Sequence, residues 1–140
     1  EIKYSNLFSH DMIYGSSFIT RPDNAPHINT SEYWNTIPLL WKNKDITMVF
    51  GTNRSLTDEN ISDYKSVKTV RVPRLDAYAE IDRIESDVEK AGNKTVLIMA
   101  GATATCLAYR LSKKGYHAID LGHIGMFMKD IKKETNVITT

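Results

Sequence analysis

An α/β fold, with a mainly parallel sheet flanked by helices, is the architecture this sequence predicts, on three observations. Four short apolar runs recur from residue 45 onward. Two amphipathic segments of helical length separate the second run from the third and the third from the fourth. The third run is apolar without alternation, the pattern of a strand covered on both faces. Strands alternating with helices of this length form βαβ units, so the sheet is parallel and Rossmann-like.

The 140 residues are enough for a single domain with a core that folds without staples. Residues 1–44 read as an irregular and helical lead-in, and 45–132 as the βαβ core. In the lead-in, Arg21-Pro22-Asp23-Asn24-Ala25-Pro26 is a loop, because proline restricts itself and the residue before it. Tyr33, Trp34, Ile37, Leu40 and Trp41 then recur at helical spacing. Pro38 interrupts them and removes a backbone donor, which predicts a short or kinked helix over Ser31–Trp41.

The first strand is Ile46–Phe50, ending at Gly51, and the second is Val67–Val72, closed by Pro73. The helix that follows spans Ala77–Ala91, with an apolar stripe at Ala77, Ile81, Ile84, Val88 and Ala91. Asp76 is its expected N-cap and Gly92 its stop. The third strand is Thr95–Ala100. The next helix runs from Thr103 to Lys114, turns Ala104, Leu107, Ala108 and Leu111 inward, and stops at Gly115. Lys113 and Lys114 suit the negative end of its dipole. The fourth strand is Tyr116–Leu121, followed by Gly122.

Composition removes several classes of function. The chain is 41% hydrophobic and 25% charged, with a mean hydropathy of −0.35, as in ordinary globular proteins. Eighteen basic and seventeen acidic residues nearly cancel, so there is no electrostatic footprint for nucleic acid. Lys113-Lys114 and Lys132-Lys133 are too short for a polybasic membrane patch, and no apolar run reaches the roughly 18 residues of a membrane span. One cysteine, Cys106, makes no internal disulfide and fits a reducing, cytoplasmic setting; its place on a helix predicts a core thiol. No Cys, His and carboxylate cluster has metal-ligand spacing.

In parallel sheets ligands lie beyond the carboxyl ends of the strands, so the loops after Phe50, Val72, Ala100 and Leu121 are the places to look. After the third strand, Gly101, Ala102, Thr103, Ala104 and Thr105 are small enough for a ligand to reach the backbone at a helix start. That suits a diphosphate; tight helix packing capped by Thr103 explains the same residues without a ligand. The dinucleotide fingerprint and the Walker loop are both absent. After the fourth strand, Asp120 and His123 stand where either could take a proton from a sugar hydroxyl. A capping Asp120 and a structural His123 are the alternatives. His10, His27 and His117 read as surface or loop residues. Arg54, after the first strand, could pair with a phosphate, and Arg21 is a further candidate; exposed salt bridges would account for both. Arg74 and Asp76, after the second strand, are weaker candidates of the same sort.

These pieces, in this order, resemble the bacterial GT-D-type glycosyltransferases, a group first catalogued as a domain of unknown function. The strongest match is the block from Gly101-Ala102-Thr103-Ala104-Thr105 through Leu107-Ala108-Tyr109 to Ala118-Ile119-Asp120-Leu121-Gly122-His123-Ile124. Looser matches are Tyr14-Gly15, Phe18-Ile19-Thr20-Arg21-Pro22, Trp41 to Gly51, Arg54, and Pro73 with Asp76-Ala77-Tyr78. Together they cover about residues 14–131. The resemblance implies a GT-D-like fold and transfer of a hexose from a nucleoside diphosphate sugar, typically a UDP-sugar, to a glycan or glycoprotein in surface polysaccharide or glycoprotein synthesis. It places the diphosphate at Gly101–Thr105, Asp120 and His123 on the sugar or acceptor side, and Arg21 and Arg54 against phosphate charge.

The family also carries an Asp-x-Glu metal motif upstream of the Arg-Pro loop, and no segment here matches it. The resemblance therefore implies a divalent ion, Mn²⁺ or Mg²⁺, whose ligands lie outside this chain, whose beginning at Glu1 suggests a missing amino-terminal segment. Ala102 stands for the family's Pro, Phe50 for a common acid and Gly125 for the usual Asp. These departures keep a second expectation alive, a non-catalytic or degenerate glycan- or nucleotide-binding module of the same fold. A different Rossmann-like enzyme, such as a methyltransferase, is the third.

Overall fold

The computed structural model describes residues 20–21, 30–51 and 61–127. Its elements are α1 (Thr30–Thr36), β1 (Asp45–Phe50), β2 (Ser66–Arg71), α2 (Ile81–Ala91), β3 (Thr95–Met99), α3 (Ala102–Lys113) and β4 (His117–Asp120). The strands form one sheet in the order β2-β1-β3-β4, and every pairing is parallel. Each strand lies within one residue of its apolar run, so the expected α/β class holds.

The order of strands explains where a ligand can enter. From β1 the chain steps sideways to β2, then returns past β1 to β3. The carboxyl ends of β1 and β3 therefore flank the switch point, where the loops diverge and leave a crevice. Register brings all four ends to one level: Phe50 pairs with Arg71 and Met99, and Ile98 with Asp120.

Alternation along the strands fills two cores. Ile46, Met48, Phe50, Leu97 and Met99 face one side, packed under Ile37, Trp41, Ile61, Leu121 and Ile124. Val49, Val70, Val96 and Ile98 face the other, under Ile81, Ile84 and Val88 of α2 and Ala104, Leu107 and Leu111 of α3. A fully buried aliphatic side chain contributes roughly 1.5–3 kcal/mol, so these two layers dominate the fold's stability. Trp41, almost completely buried, satisfies its indole N–H on the Ser62 carbonyl at 3.1 Å.

The expected break at Pro38 is present: α1 ends at Thr36 and Ile37–Leu40 continues as a 3-10 turn, with Pro38 near its start where no backbone donor is needed. The end of α3 is a Schellman motif. Gly115 takes φ 79°, its N–H reaches the Ser112 carbonyl, and the Tyr116 N–H reaches the Leu111 carbonyl.

Three expectations need correction. The helix expected from Ala77 begins with a 3-10 turn, Ala77–Glu80, and becomes α-helical only at Ile81. Asp76 does not cap it: the residue is left-handed at φ 50°, and its side chain makes no capping hydrogen bond. Cys106 is exposed, not a core thiol. At 100° per residue it falls just outside the buried stripe Thr103, Ala104, Leu107 and Leu111, roughly 115° from the centre of that stripe.

One buried charge was not anticipated. Glu85 is almost fully buried between α2 and α3, with its carboxylate 2.5 Å from Arg110 Nη2 and 2.8 Å from Lys114 Nζ. Burial of a carboxylate is tolerated only with such pairing. Its hydrogen bond to Glu85, then that to Glu89, holds the Lys114 ammonium above its ordinary range.

Candidate functional site

The loops after the strands converge on a cavity of about 420 Å³ at the carboxyl edge of the sheet. Gly51 after β1, and Met99 and Ala100 at the end of β3, belong to its lining. One wall is the start of α3, with Gly101, Ala102 and Thr103. A second comes from the loop after β2, through Pro73, Arg74, Asp76, Ala77 and Tyr78. Gly122 and His123, after β4, complete the rim.

Gly101 is required by its backbone rather than by space. It takes φ 58° and ψ −142°, a region reserved for glycine, and a Cβ there would meet no atom within 4 Å. This bend aims the opening of α3 at the cavity. The Ala104 N–H turns back to the Gly101 carbonyl at 3.0 Å, whereas the amides of Ala102 and Thr103 precede any intrahelical acceptor. Two bare donors at the positive end of a helix dipole favour an anionic group. Thr103 is buried, Ala104 belongs to the core, and Gly101 and Ala102 are open to solvent.

Asp120 and Thr105 stand elsewhere. Asp120 is not among the residues lining the cavity. Its Oδ2 accepts from the Thr105 hydroxyl at 3.0 Å and its Oδ1 from the Gly122 N–H at 2.9 Å. The carboxylate thus ties the end of β4 to the first turn of α3 and shapes the bend that leads to His123. Gly122 takes φ 51°, and a Cβ on it would stand 3.2 Å from the Thr20 hydroxyl, so Thr20 lies close to that bend.

The structure therefore brings Gly101, Ala102 and Thr103 together with His123, and adds Arg74 and Asp76 from the weaker candidates. Arg21 is half-buried, with its guanidinium 5.5 Å from the centre of the Phe127 ring, and does not line the cavity. Arg54 lies outside the described residues. His117 is exposed on β4, as expected of a surface residue. Tyr78 is the lining residue that site reasoning passed over. The rule that ligands lie beyond strand ends already pointed to its loop, where Arg74 and Asp76 alone are candidates by residue type.

Among the described residues no group of three or more His, Cys, Asp or Glu side chains could hold a metal ion. Within the cavity lining only Asp76 and His123 carry such donors. This set does not fit a divalent ion, which takes six or more oxygen ligands or a tetrahedral set of nitrogen and sulfur.

Known proteins resemble the chain at every level. A 38% identical stretch of 116 residues, 79% of this chain, matches the "Probable glycosyl transferase Gly" of Streptococcus gordonii. A 34% identical stretch of 126 residues, 86% of the chain, matches "Glycosyltransferase GlyD" of Streptococcus pneumoniae serotype 4. The chain spans only 17% and 15% of the length of these curated relatives. Among solved structures, "A New Glycosyltransferase (DUF1792) from Streptococcus sanguinis" superposes with a TM-score of 0.69 at 33% identity, over 80% of this chain and 44% of that one. A second, described as showing that "the highly conserved domain of unknown function 1792 has a distinct glycosyltransferase fold", gives 0.71 at 34% identity, over 84% and 44%. The family model described as "Glycosyltransferase GT-D fold" matches residues 1–137, so the chain belongs to the GT-D glycosyltransferase family.

Proposed function

We propose that the chain forms the nucleotide-sugar-binding core of a glycosyltransferase that moves a hexose from a nucleoside diphosphate donor, with uridine as the nucleoside, to a glycan or glycoprotein acceptor. The observation that carries this reading is the cavity at the switch point, where the Gly101 bend presents the amides of Ala102 and Thr103. A pyrophosphate there meets oriented donors and a helix dipole, and Arg74, on the second wall, supplies a positive charge.

His123 is the group placed to take the proton of an attacking hydroxyl, a contribution of about 10²- to 10⁴-fold in rate when geometry is right. Asp120 serves that step by holding the bend before His123 in place. No step is assigned to a metal; the Mn²⁺ or Mg²⁺ that the resemblance implies would draw its ligands from outside the described residues. No described helix is long and apolar enough to cross a membrane, and the single, exposed cysteine is in keeping with a reducing, cytoplasmic setting.

The engagement of both Asp120 oxygens within the protein favours a second reading, a module that binds the donor without turnover. Calorimetric titration and thermal shift with UDP and UDP-hexoses, with and without Mn²⁺, separate the two. A ligand at a hundred times its dissociation constant raises stability by about 2.7 kcal/mol, well within reach of a melting curve. Binding that Gly101→Ala weakens by re-aiming the Ala102 and Thr103 amides, together with hexose release from the donor, supports the enzyme. Binding without release supports the module, and no binding of any nucleotide-sugar or of UDP overturns both.

A further inference from the structure

We infer that Tyr78 and Asp76 form the nucleoside wall of the cavity, with the Tyr78 ring stacking on the base and the Asp76 carboxylate accepting from the ribose hydroxyls. The inference rests on the nucleotide-sugar reading above and assigns the two ends of the donor to opposite flanks.

A pyrophosphate at the start of α3 occupies the middle of the cavity and leaves two flanks. The β4 flank offers Gly122 and the imidazole of His123, a group suited to proton transfer at the sugar. The β2 flank offers Pro73, Asp76 and Tyr78, a flat ring and a carboxylate two residues apart on one loop. A nucleoside needs that combination: an apolar face for the base and an acceptor for the ribose hydroxyls.

Tyr78 lines the cavity yet is 60% exposed, while its neighbours Ala77 and Ile81 pack against the core. A large aromatic side chain at the mouth of a cavity, unused by the core, is a stacking surface. Asp76 adds an independent sign. It is a non-glycine residue at φ 50°, and its carboxylate is not spent on capping the helix it precedes. Asp tolerates that conformation better than most residues, and such local strain gathers at ligand sites. The 3-10 turn of Ala77–Glu80 packs against α3, so the loop carrying both side chains is held against the diphosphate wall.

The test is calorimetric titration of UDP, UMP, 2′-deoxy-UDP, UDP-glucose and inorganic pyrophosphate into the protein carrying this chain and its Tyr78→Ala, Tyr78→Phe and Asp76→Asn variants. Both residues are exposed, so the variants fold, and circular dichroism verifies it. Tyr78→Ala is expected to weaken UDP and UMP alike, by roughly 5- to 150-fold, and to leave pyrophosphate unchanged, while Tyr78→Phe binds as the unaltered protein does. The unaltered protein is expected to prefer UDP to 2′-deoxy-UDP, and Asp76→Asn to lose that preference. Unchanged UDP binding in Tyr78→Ala overturns the inference, as does weakening confined to UDP-glucose, which would put the ring against the sugar. Unaltered protein that holds pyrophosphate but gains nothing from the nucleoside also overturns it and leaves the diphosphate site standing. Unaltered protein that binds none of the probes overturns the nucleotide-sugar reading itself.

Discussion

The Thr105 hydroxyl donates to Asp120 Oδ2 at 3.0 Å, across fifteen residues of sequence, and so fastens the first turn of α3 to the carboxyl end of β4. The other carboxylate oxygen takes the Gly122 N–H at 2.9 Å. Two walls of the cavity, one bearing Gly101 to Thr103 and the other His123, are thereby held at a fixed separation.

Asp120→Ala is therefore expected to cost about 1 kcal/mol of stability, mainly for leaving the part-buried Gly122 N–H without its acceptor, since the exposed Thr105 hydroxyl can turn to water. Urea denaturation measures it. Thr105→Val removes only one of the two bonds and should cost less. The double variant should fall short of the sum of the two, because the single variants share the Thr105 bond. Strict additivity would show that the bond does not link these elements.

Gly101→Ala tests the bend. Alanine at φ 58° and ψ −142° is strained by about 1–3 kcal/mol, although nothing stands in the way of its methyl group. The expected outcome is a lower urea midpoint and a larger fractional loss of pyrophosphate binding, because relaxing the strain re-aims the Ala102 and Thr103 amides. Equal stability in the two proteins would mean that the bend is not needed.

What could be read from residue types follows a physical division. The buried runs at Ile46–Phe50 and Thr95–Met99, the stripe at Ile81, Ile84 and Val88, and the stop at Gly115 are local patterns, and the structure keeps them. The candidate rim was legible for the same reason: strand ends plus the rule for parallel sheets select the loops holding Gly101 to Thr103 and His123. Cys106, Glu85 and Asp76 were not legible, for three different reasons. Cys106 borders the buried stripe, next in sequence to Leu107, and small residues on α3 blur where that stripe runs. Glu85 is buried because Arg110 and Lys114 of another helix meet it, which no window of sequence contains. Asp76 has the residue type of a cap, yet its left-handed backbone turns the chain into a 3-10 turn instead.

Acid should weaken the junction between β1 and β2. Hydrogen bonds from Ser66 first and then Lys65 hold the Asp45 carboxyl below its ordinary value of 3.8. A carboxyl lowered in the folded state binds its proton more readily when unfolded. Its stabilising contribution is therefore present above pH 3.8 and is lost as pH falls through the lower, folded-state value. Asp45→Asn should flatten the pH dependence of the urea midpoint in that window. Because Asp45 is solvent-accessible, added salt should reduce the difference between the two proteins. Identical acid limbs would remove Asp45 from the account.

Gly51 closes the floor of the cavity for a reason unlike that of Gly101. A Cβ built on it would stand 2.6 Å from the Val72 carbonyl oxygen and 3.0 Å from the Val72 side chain. The obstacle is backbone, and Val72 is itself held by its N–H to the Phe50 carbonyl at 3.2 Å, so neither neighbour yields cheaply. Gly51→Ala must spread the ends of β1 and β2 and is expected to cost about 1–3 kcal/mol, as overpacking does. The displaced strand end carries the loop bearing Arg74, Asp76 and Tyr78, so loss of UDP binding should exceed loss of pyrophosphate binding, the reverse of the Gly101→Ala pattern. Melting curves and paired titrations of the two variants decide it: the same ratio of losses in both would mean that the two glycines act on one wall of the cavity rather than two.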